Sequence, residues 1–179
     1  SIGFRAPSAA ELLAAWCDKA LSGLTEDDRY GDAGAVVAQA NPGEITEASL
    51  DRLREFALAA LGDRDRFARV FGAHATTPRY PEIDWSPERP PSLKRLKAAR
   101  DAGEAIERNP AGRFAFVDQG EGRCLLFVNG EASECAGDGA ACARAICAGP
   151  RFTLDPGWSD SALELVRGLC ATGALALPD

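Results

Sequence analysis

Apolar residues recur at intervals of three and four in three early stretches of the chain. After Ser8, the positions Leu12, Leu13, Trp16, Ala20, Leu21 and Leu24 form one broad face, so the spacing predicts an amphipathic helix. Ser8 followed three residues later by Glu11 is a capping box at its start. Thr46 heads a second stretch, with Leu50, Leu53, Ala57, Ala60 and Leu61 at helical spacing and Gly62 as the stop. Asp63 opens a third, with Phe67, Val70 and Phe71 turned inward and Gly72 as its expected end. Ahead of these, Ser1 to Arg5 alternates small, apolar and charged residues like a half-buried strand, and Ala6-Pro7 breaks it. Residues 25–45 are acidic, then rich in Gly and Ala, and read as a loop holding a short extended piece. Three amphipathic helices in so short a stretch make a thin core, so their apolar faces are expected to need a partner surface.

The pattern changes at TPRYPEIDWSPERPPS, residues 77–92, which carries five prolines. Proline fixes its own backbone and disfavours helix in the residue before it, so this segment is expected to be a semi-rigid linker and a domain boundary. Beyond it, Ser92 caps a short helix with Leu93 and Leu96 inward. Arg113–Asp118 and Arg123–Val128 read as strands joined by QGEG, and Asn129-Gly130 is a strong hairpin signal because both central residues need positive φ. A helix follows over Asp138–Ala148. Another is expected from Ser161, with Glu164 at the capping-box position and Leu163, Val166, Leu169 and Cys170 inward. Gly173 ends it, and Ala174 to Leu177 is expected to return as an edge strand. Helix, hairpin, helix, helix and strand are the content of a winged-helix domain. The fold class is therefore α+β and mainly α.

Composition narrows the function classes. The chain has 179 residues, 46% of them hydrophobic and 26% charged, with a formal net charge of -7. That balance suits a folded globular protein and weakens nucleic-acid or anionic-membrane binding, which depends on clustered Lys and Arg. No apolar run approaches the ~20 residues of a membrane span. The winged helix first suggests DNA, but its last helix, SDSALELVRGLCATG, places no residues to read base edges. Lys94, Arg95, Lys97 and Arg100 cluster on the first helix of that half, interrupted by Asp101 and Glu104, and read as a solvated face.

Catalytic chemistry is hard to place. His74 is the one histidine, whereas a two-His-one-carboxylate iron site needs two. Cys17, Cys124, Cys135, Cys142, Cys147 and Cys170 contain no CxxC pair and read as small buried apolar residues in a reducing, cytoplasmic setting. Gly120-Glu121-Gly122 is a turn, and Asp27-Asp28 and the Asp63/Asp65 pair read as solvated or helix-terminal charges. No catalytic, cofactor-binding or metal-ligating residue is assigned.

One resemblance organises these pieces. SIGFRAPSAAELLAAWCDKAL resembles the segment that leaves the catalytic barrel in the bacterial ribosomal oxygenases, which are jumonji-C/cupin-type hydroxylases. LDRLRE (50–55), RFARVFG (66–72) and VNGE (128–131) resemble later segments of that family in the same order. The resemblance implies a three-part enzyme: a double-stranded β-helix barrel, a helical dimerisation region and a winged helix. It also implies Fe(II) and 2-oxoglutarate as cofactors of the whole enzyme and a ribosomal-protein side chain, an arginine in one branch, as its substrate. The His-x-Asp…His iron triad matches no position here, so the chain alone is expected to be inactive.

On that resemblance, residues 1–7 are a remnant of the last barrel strand, with Ser1 and Arg5 at a pocket edge. Residues 8–76 are the dimerisation region, 77–92 the linker and 93–179 the winged helix. Candidates for the homodimer interface are Leu12, Leu13, Trp16, Leu21, Leu50, Leu53, Leu61, Phe67 and Phe71. The other reading from the residues is a freestanding winged-helix module that binds protein rather than DNA.

Overall fold

A computed structural model describes residues 8–25 and 45–177. Ser1, Arg5, Asp27-Asp28 and the loop expected over residues 25–45 fall wholly or largely outside them. The described residues up to Val70 form one compact unit, and those from Phe71 onward form a second.

The first unit holds α1 (Ala9–Leu21), α2 (Glu47–Ala60) and the start of α3 (Arg64–Ala75). The expected capping box is formed: Glu11 N–H donates to Ser8 Oγ at 3.1 Å and Ser8 N–H to Glu11 Oε2 at 2.8 Å. Thr46 caps α2 by accepting from Ser49 N–H. Asp63 Oδ1 accepts from the backbone of Asp65 and Arg66, both at 3.0 Å, so this carboxylate is a helix cap and needs no metal to explain it. Trp16 meets Phe67 edge-on, ring centroids 4.8 Å apart at 63°, a favourable arrangement of two quadrupoles. Ala20 is buried, and α2 has no buried residue.

The second unit contains α4 (Leu93–Asp101), α5 (Asp138–Ala148) and α6 (Asp160–Ala171) with two antiparallel sheets. One sheet has the order β5-β1-β6, from β1 (Ala105–Arg108), β5 (Arg151–Thr153) and β6 (Leu175–Ala176). The other has the order β2-β3-β4, from β2 (Phe114–Gly120), β3 (Arg123–Val128) and β4 (Glu131–Ala136). The Asn129-Gly130 hairpin forms as expected, with φ of 52° and 90° and Val128 opposite Glu131. One core unites Leu96, Ile106, Leu126, Ile146, Leu163 and Val166, all essentially inaccessible. The arrangement is α+β, mainly α, and a winged helix.

Several local expectations are corrected. Gly72 does not end its helix. The helix runs on to Ala75, and Gly72 is glycine for a packing reason: a Cβ there would lie 2.3 Å from Phe127 Cζ. Phe71 is not turned inward but remains 39% exposed. The last helix starts one residue before Ser161, behind Ser159. Ser159 and Ser161 share a hydroxyl hydrogen bond at 2.9 Å, and Glu164 pairs with Arg167 instead of closing a capping box. The strands β1 and β5, absent from the expected pattern, are four and three residues long. Pieces that short carry almost no alternation and exist because their neighbours supply the ladder.

Candidate functional site

Two features stand out: the apolar surface of the first unit and the charge arrangement of the winged helix. In the first unit, Leu13, Leu21, Leu24, Leu50, Leu53, Phe56 and Leu58 are all exposed, Leu21 by 64% and Leu50 by 55%. The cause is local. Each helix carries a wide apolar stripe, and α2 buries none of it within the described residues. A groove of about 530 Å³ runs between α1 and α2, floored by Cys17, Ala20, Ala57 and Ala60 and walled by Leu21, Leu24, Phe56 and Leu61. Small residues on the floor and large ones on the walls make a concave surface able to accept apolar side chains.

The structure distributes the nine interface candidates unevenly. Leu21 and Leu61 line the groove. Leu13, Leu50 and Leu53 are exposed elsewhere on the first unit. Leu12, Trp16 and Phe67 are half-buried, the last two against each other, while Phe71 belongs to the second unit. Phe56 was missing from the candidates although it follows Leu53 at helical spacing, a signal that was available.

On the winged helix the cations are largely neutralised. Arg95 pairs with Glu104 at 2.6 Å, Lys97 with Asp160 at 2.8 Å and Arg100 with Asp101 at 3.0 Å. On α6 the one cation, Arg167, pairs with Glu164 at 2.6 Å. A helix presented to phosphates keeps its cations free to displace counterions, and these are engaged within the fold.

Among the described residues, no group of three or more His, Cys, Asp and Glu side chains is arranged to hold a metal ion. His74 sits in the last turn of α3, exposed. These residues therefore do not fit an iron and 2-oxoglutarate centre, and no step of such chemistry runs through them. All six cysteines are free thiols. Burial pushes Cys142 up to about 12 and Cys135, Cys147 and Cys170 up to about 11, the opposite of what a nucleophile needs. Among the described residues no helix is long and apolar enough to cross a membrane.

Comparison with known proteins fits this architecture. The family model described as ROXA-like winged helix matches residues 57–176. The ribosomal protein uL16 3-hydroxylase of Escherichia coli (strain K12) is 32% identical over 132 residues, covering 73% of this chain and 34% of that protein. A structure of YcfD, a ribosomal oxygenase from Escherichia coli in complex with cobalt and succinic acid, superposes with a TM-score of 0.80 at 22% identity. That match covers 99% of this chain and 48% of the YcfD chain. A second X-ray structure of Escherichia coli YcfD gives 0.81 at 22% identity, covering 97% and 46%. The chain thus spans about a third of the curated relative and about half of the solved chains, and it corresponds to the C-terminal half of YcfD. The family match and the winged-helix architecture agree, and this chain belongs to the ROXA-like winged helix family, as a region homologous to the C-terminal part of a ribosomal oxygenase.

Proposed function

We propose that this chain is the dimerisation and winged-helix part of a 2-oxoglutarate- and Fe(II)-dependent protein hydroxylase that acts on a ribosomal protein in the cytoplasm. The observation that carries the reading is the apolar surface of α1 and α2, exposed in a chain whose relative is a ribosomal-protein hydroxylase. Its occupant is a second copy of the same helices, giving a homodimer. Burying several Leu and Phe side chains at such a seam supplies about 1.5–3 kcal/mol for each one fully covered. Iron and 2-oxoglutarate are held by a part of the enzyme that the described residues do not form. The net charge of -7 favours approach of a basic ribosomal protein by complementary steering. Residues 8–76 then serve as the dimerisation region, 77–92 as the connecting segment and 93–179 as the winged helix.

Sedimentation equilibrium tests the dimer. The wild-type chain is expected to dimerise at micromolar concentration, and Phe56→Asp with Leu21→Asp to sediment as a folded monomer with unchanged far-UV circular dichroism. A wild-type chain that stays monomeric at every concentration overturns the reading.

A further inference from the structure

The sheet β2-β3-β4 carries a pair of cysteines that the hydroxylase reading does not use. Cys124 on β3 and Cys135 on β4 stand directly opposite each other. The two-residue turn makes Val128 and Glu131 the closing hydrogen-bonded pair, and counting back by twos along the register makes Cys124 and Cys135 another. The Cα atoms of such a pair are about 5.5 Å apart, inside the roughly 4.4–6.8 Å window of a disulfide. Both side chains point to the core face of the sheet, with Leu126 and Val128, and Cys124 Sγ reaches the Ala140 carbonyl of α5 at 4.0 Å. The two thiols also share a hydrogen bond, so their sulfurs already lean together.

Access to the pair is one-sided. Cys124 is fully buried, whereas Cys135 is 7% exposed on β4, the edge strand whose other five residues are all exposed. An edge so lightly packed opens locally at low free energy. Burial pushes Cys135 up to about 11, which keeps its thiolate scarce at neutral pH and its oxidation slow. Cys142 on α5 is the competing partner, since Cys135 acts on it, but it is fully buried and pushed up to about 12.

We infer that Cys124 and Cys135 form a redox latch, closing to a cross-strand disulfide under hydrogen peroxide and fastening the edge strand β4 to β3. The Cys135 thiolate attacks one peroxide oxygen and becomes a sulfenic acid as hydroxide leaves. The sulfur of Cys124 gives up its proton and attacks the sulfenic sulfur. The S–S bond forms as the S–O bond breaks, and the oxygen departs as water. Two thiols are oxidised and one peroxide is reduced to two waters. The Cβ atoms of an opposite pair stand about 4.5–5.5 Å apart, wider than the ~3.8 Å of an unstrained disulfide. The bond therefore closes under strain, and a thiol reductant reopens it. The latch uses this chain alone and is independent of the hydroxylase reading.

Peroxide treatment of the full chain carrying Cys17→Ser tests the inference. That substitution removes a half-exposed thiol, and the chain has no methionine to form a sulfoxide. A Glu-specific protease cuts between the two cysteines at Glu131 and Glu134, so alkylation, non-reducing digestion and mass spectrometry identify the link. The intact mass is expected to fall by about 2 Da, the two hydrogens lost, with Cys124 and Cys135 peptides joined and both thiols recovered in dithiothreitol. The rate of closure is expected to rise about tenfold per pH unit between roughly pH 7 and 9, as the thiolate fraction of Cys135 grows. Cys124→Ser and Cys135→Ser should each abolish the linked peptide, and Cys142→Ala should leave it in place. Should a variant fail to fold, the peptide map of the parent chain decides the case. Unchanged thiols, Cys135 oxidised only to a sulfinic acid, a link from Cys135 to Cys142, or a link that forms only in denaturant overturns the inference.

Discussion

The Phe127 ring occupies the space in which a side chain on Gly72 would stand, with Cζ, Cε1 and Cε2 all 2.3–2.4 Å from a Cβ built there. Helix α3 and strand β3 therefore approach at a point that only glycine permits. Thr76, one turn later, adds a polar tie. Its hydroxyl donates to Gly72 O at 2.8 Å and accepts from Gly130 N–H at 3.1 Å.

Gly72→Ala is expected to destabilise the protein. Helix propensity alone favours Ala by about 1 kcal/mol, but the fully buried Phe127 ring would have to shift to admit the new methyl. Overpacking of this kind costs about 1–3 kcal/mol net, read as a lower melting temperature. Phe127→Leu placed on top of Gly72→Ala should recover part of that loss. An unchanged or raised melting temperature in Gly72→Ala would count against the close approach.

Thr76→Val keeps the shape and removes the hydroxyl. The N–H of Gly130, in the hairpin turn, then loses its acceptor, at an expected cost of about 1–3 kcal/mol. Thr76→Ser should retain most of the stability. Chemical denaturation of the two variants side by side separates the hydrogen bond from the methyl packing.

The buried thiols predict alkaline instability. Their ordinary value is 9.0 and burial raises it in the folded state to about 11 for Cys135, Cys147 and Cys170 and about 12 for Cys142. Above pH 9 the unfolded chain loses these protons while the folded chain keeps them, so the unfolded state binds fewer protons and stability falls as pH rises toward 11–12. Denaturant midpoints measured from pH 8 to pH 11 should decline, and Cys142→Ala, despite its lost sulfur packing, should flatten the slope. At pH 8 an alkylating reagent should modify half-exposed Cys17 before Cys142.

Asp118 gives the opposite acid-side sign. Its carboxylate accepts from Gly120 N–H at 2.8 Å and from Arg144 Nη2 at 2.9 Å, which hold it below the usual carboxylate range. Its contribution is present above the ordinary carboxylate value and is lost as pH falls through the lowered one. Because the pair is solvent-exposed, Asp118→Asn should change stability at neutral pH only slightly. Nuclear magnetic resonance titration of the carboxyl should show the downward shift shrink in Arg144→Ala, the part due to Gly120 N–H remaining.

The residues themselves carried much of this fold. Ser8, Thr46 and Ser92 announced their helices because capping is a local bond between a side chain and the next turn's N–H groups, and the structure forms all three. Asn129-Gly130 likewise announced its hairpin, since positive φ is a property of those two residues. The GFRAP segment and the later family-like stretches pointed to the oxygenase family that the comparisons support.

Other features were decided only in three dimensions. Gly72 has the appearance of a helix stop in one dimension; its role depends on Phe127, 55 positions away in sequence numbering and adjacent in space. Gly173 does end its helix with φ of 68°, yet it also lies against the backbone of Trp85, a contact no local rule encodes. The short strands β1 and β5 exist only through the sheet they form with β6. The hydrogen bonds from Arg108 to the carbonyls of Ile146 and Cys147 at the end of α5 are equally silent in sequence. Local bonds and turn preferences belong to neighbouring residues and can be read along the chain, whereas close approach, strand pairing and long-range hydrogen bonds belong to residues that only folding brings together.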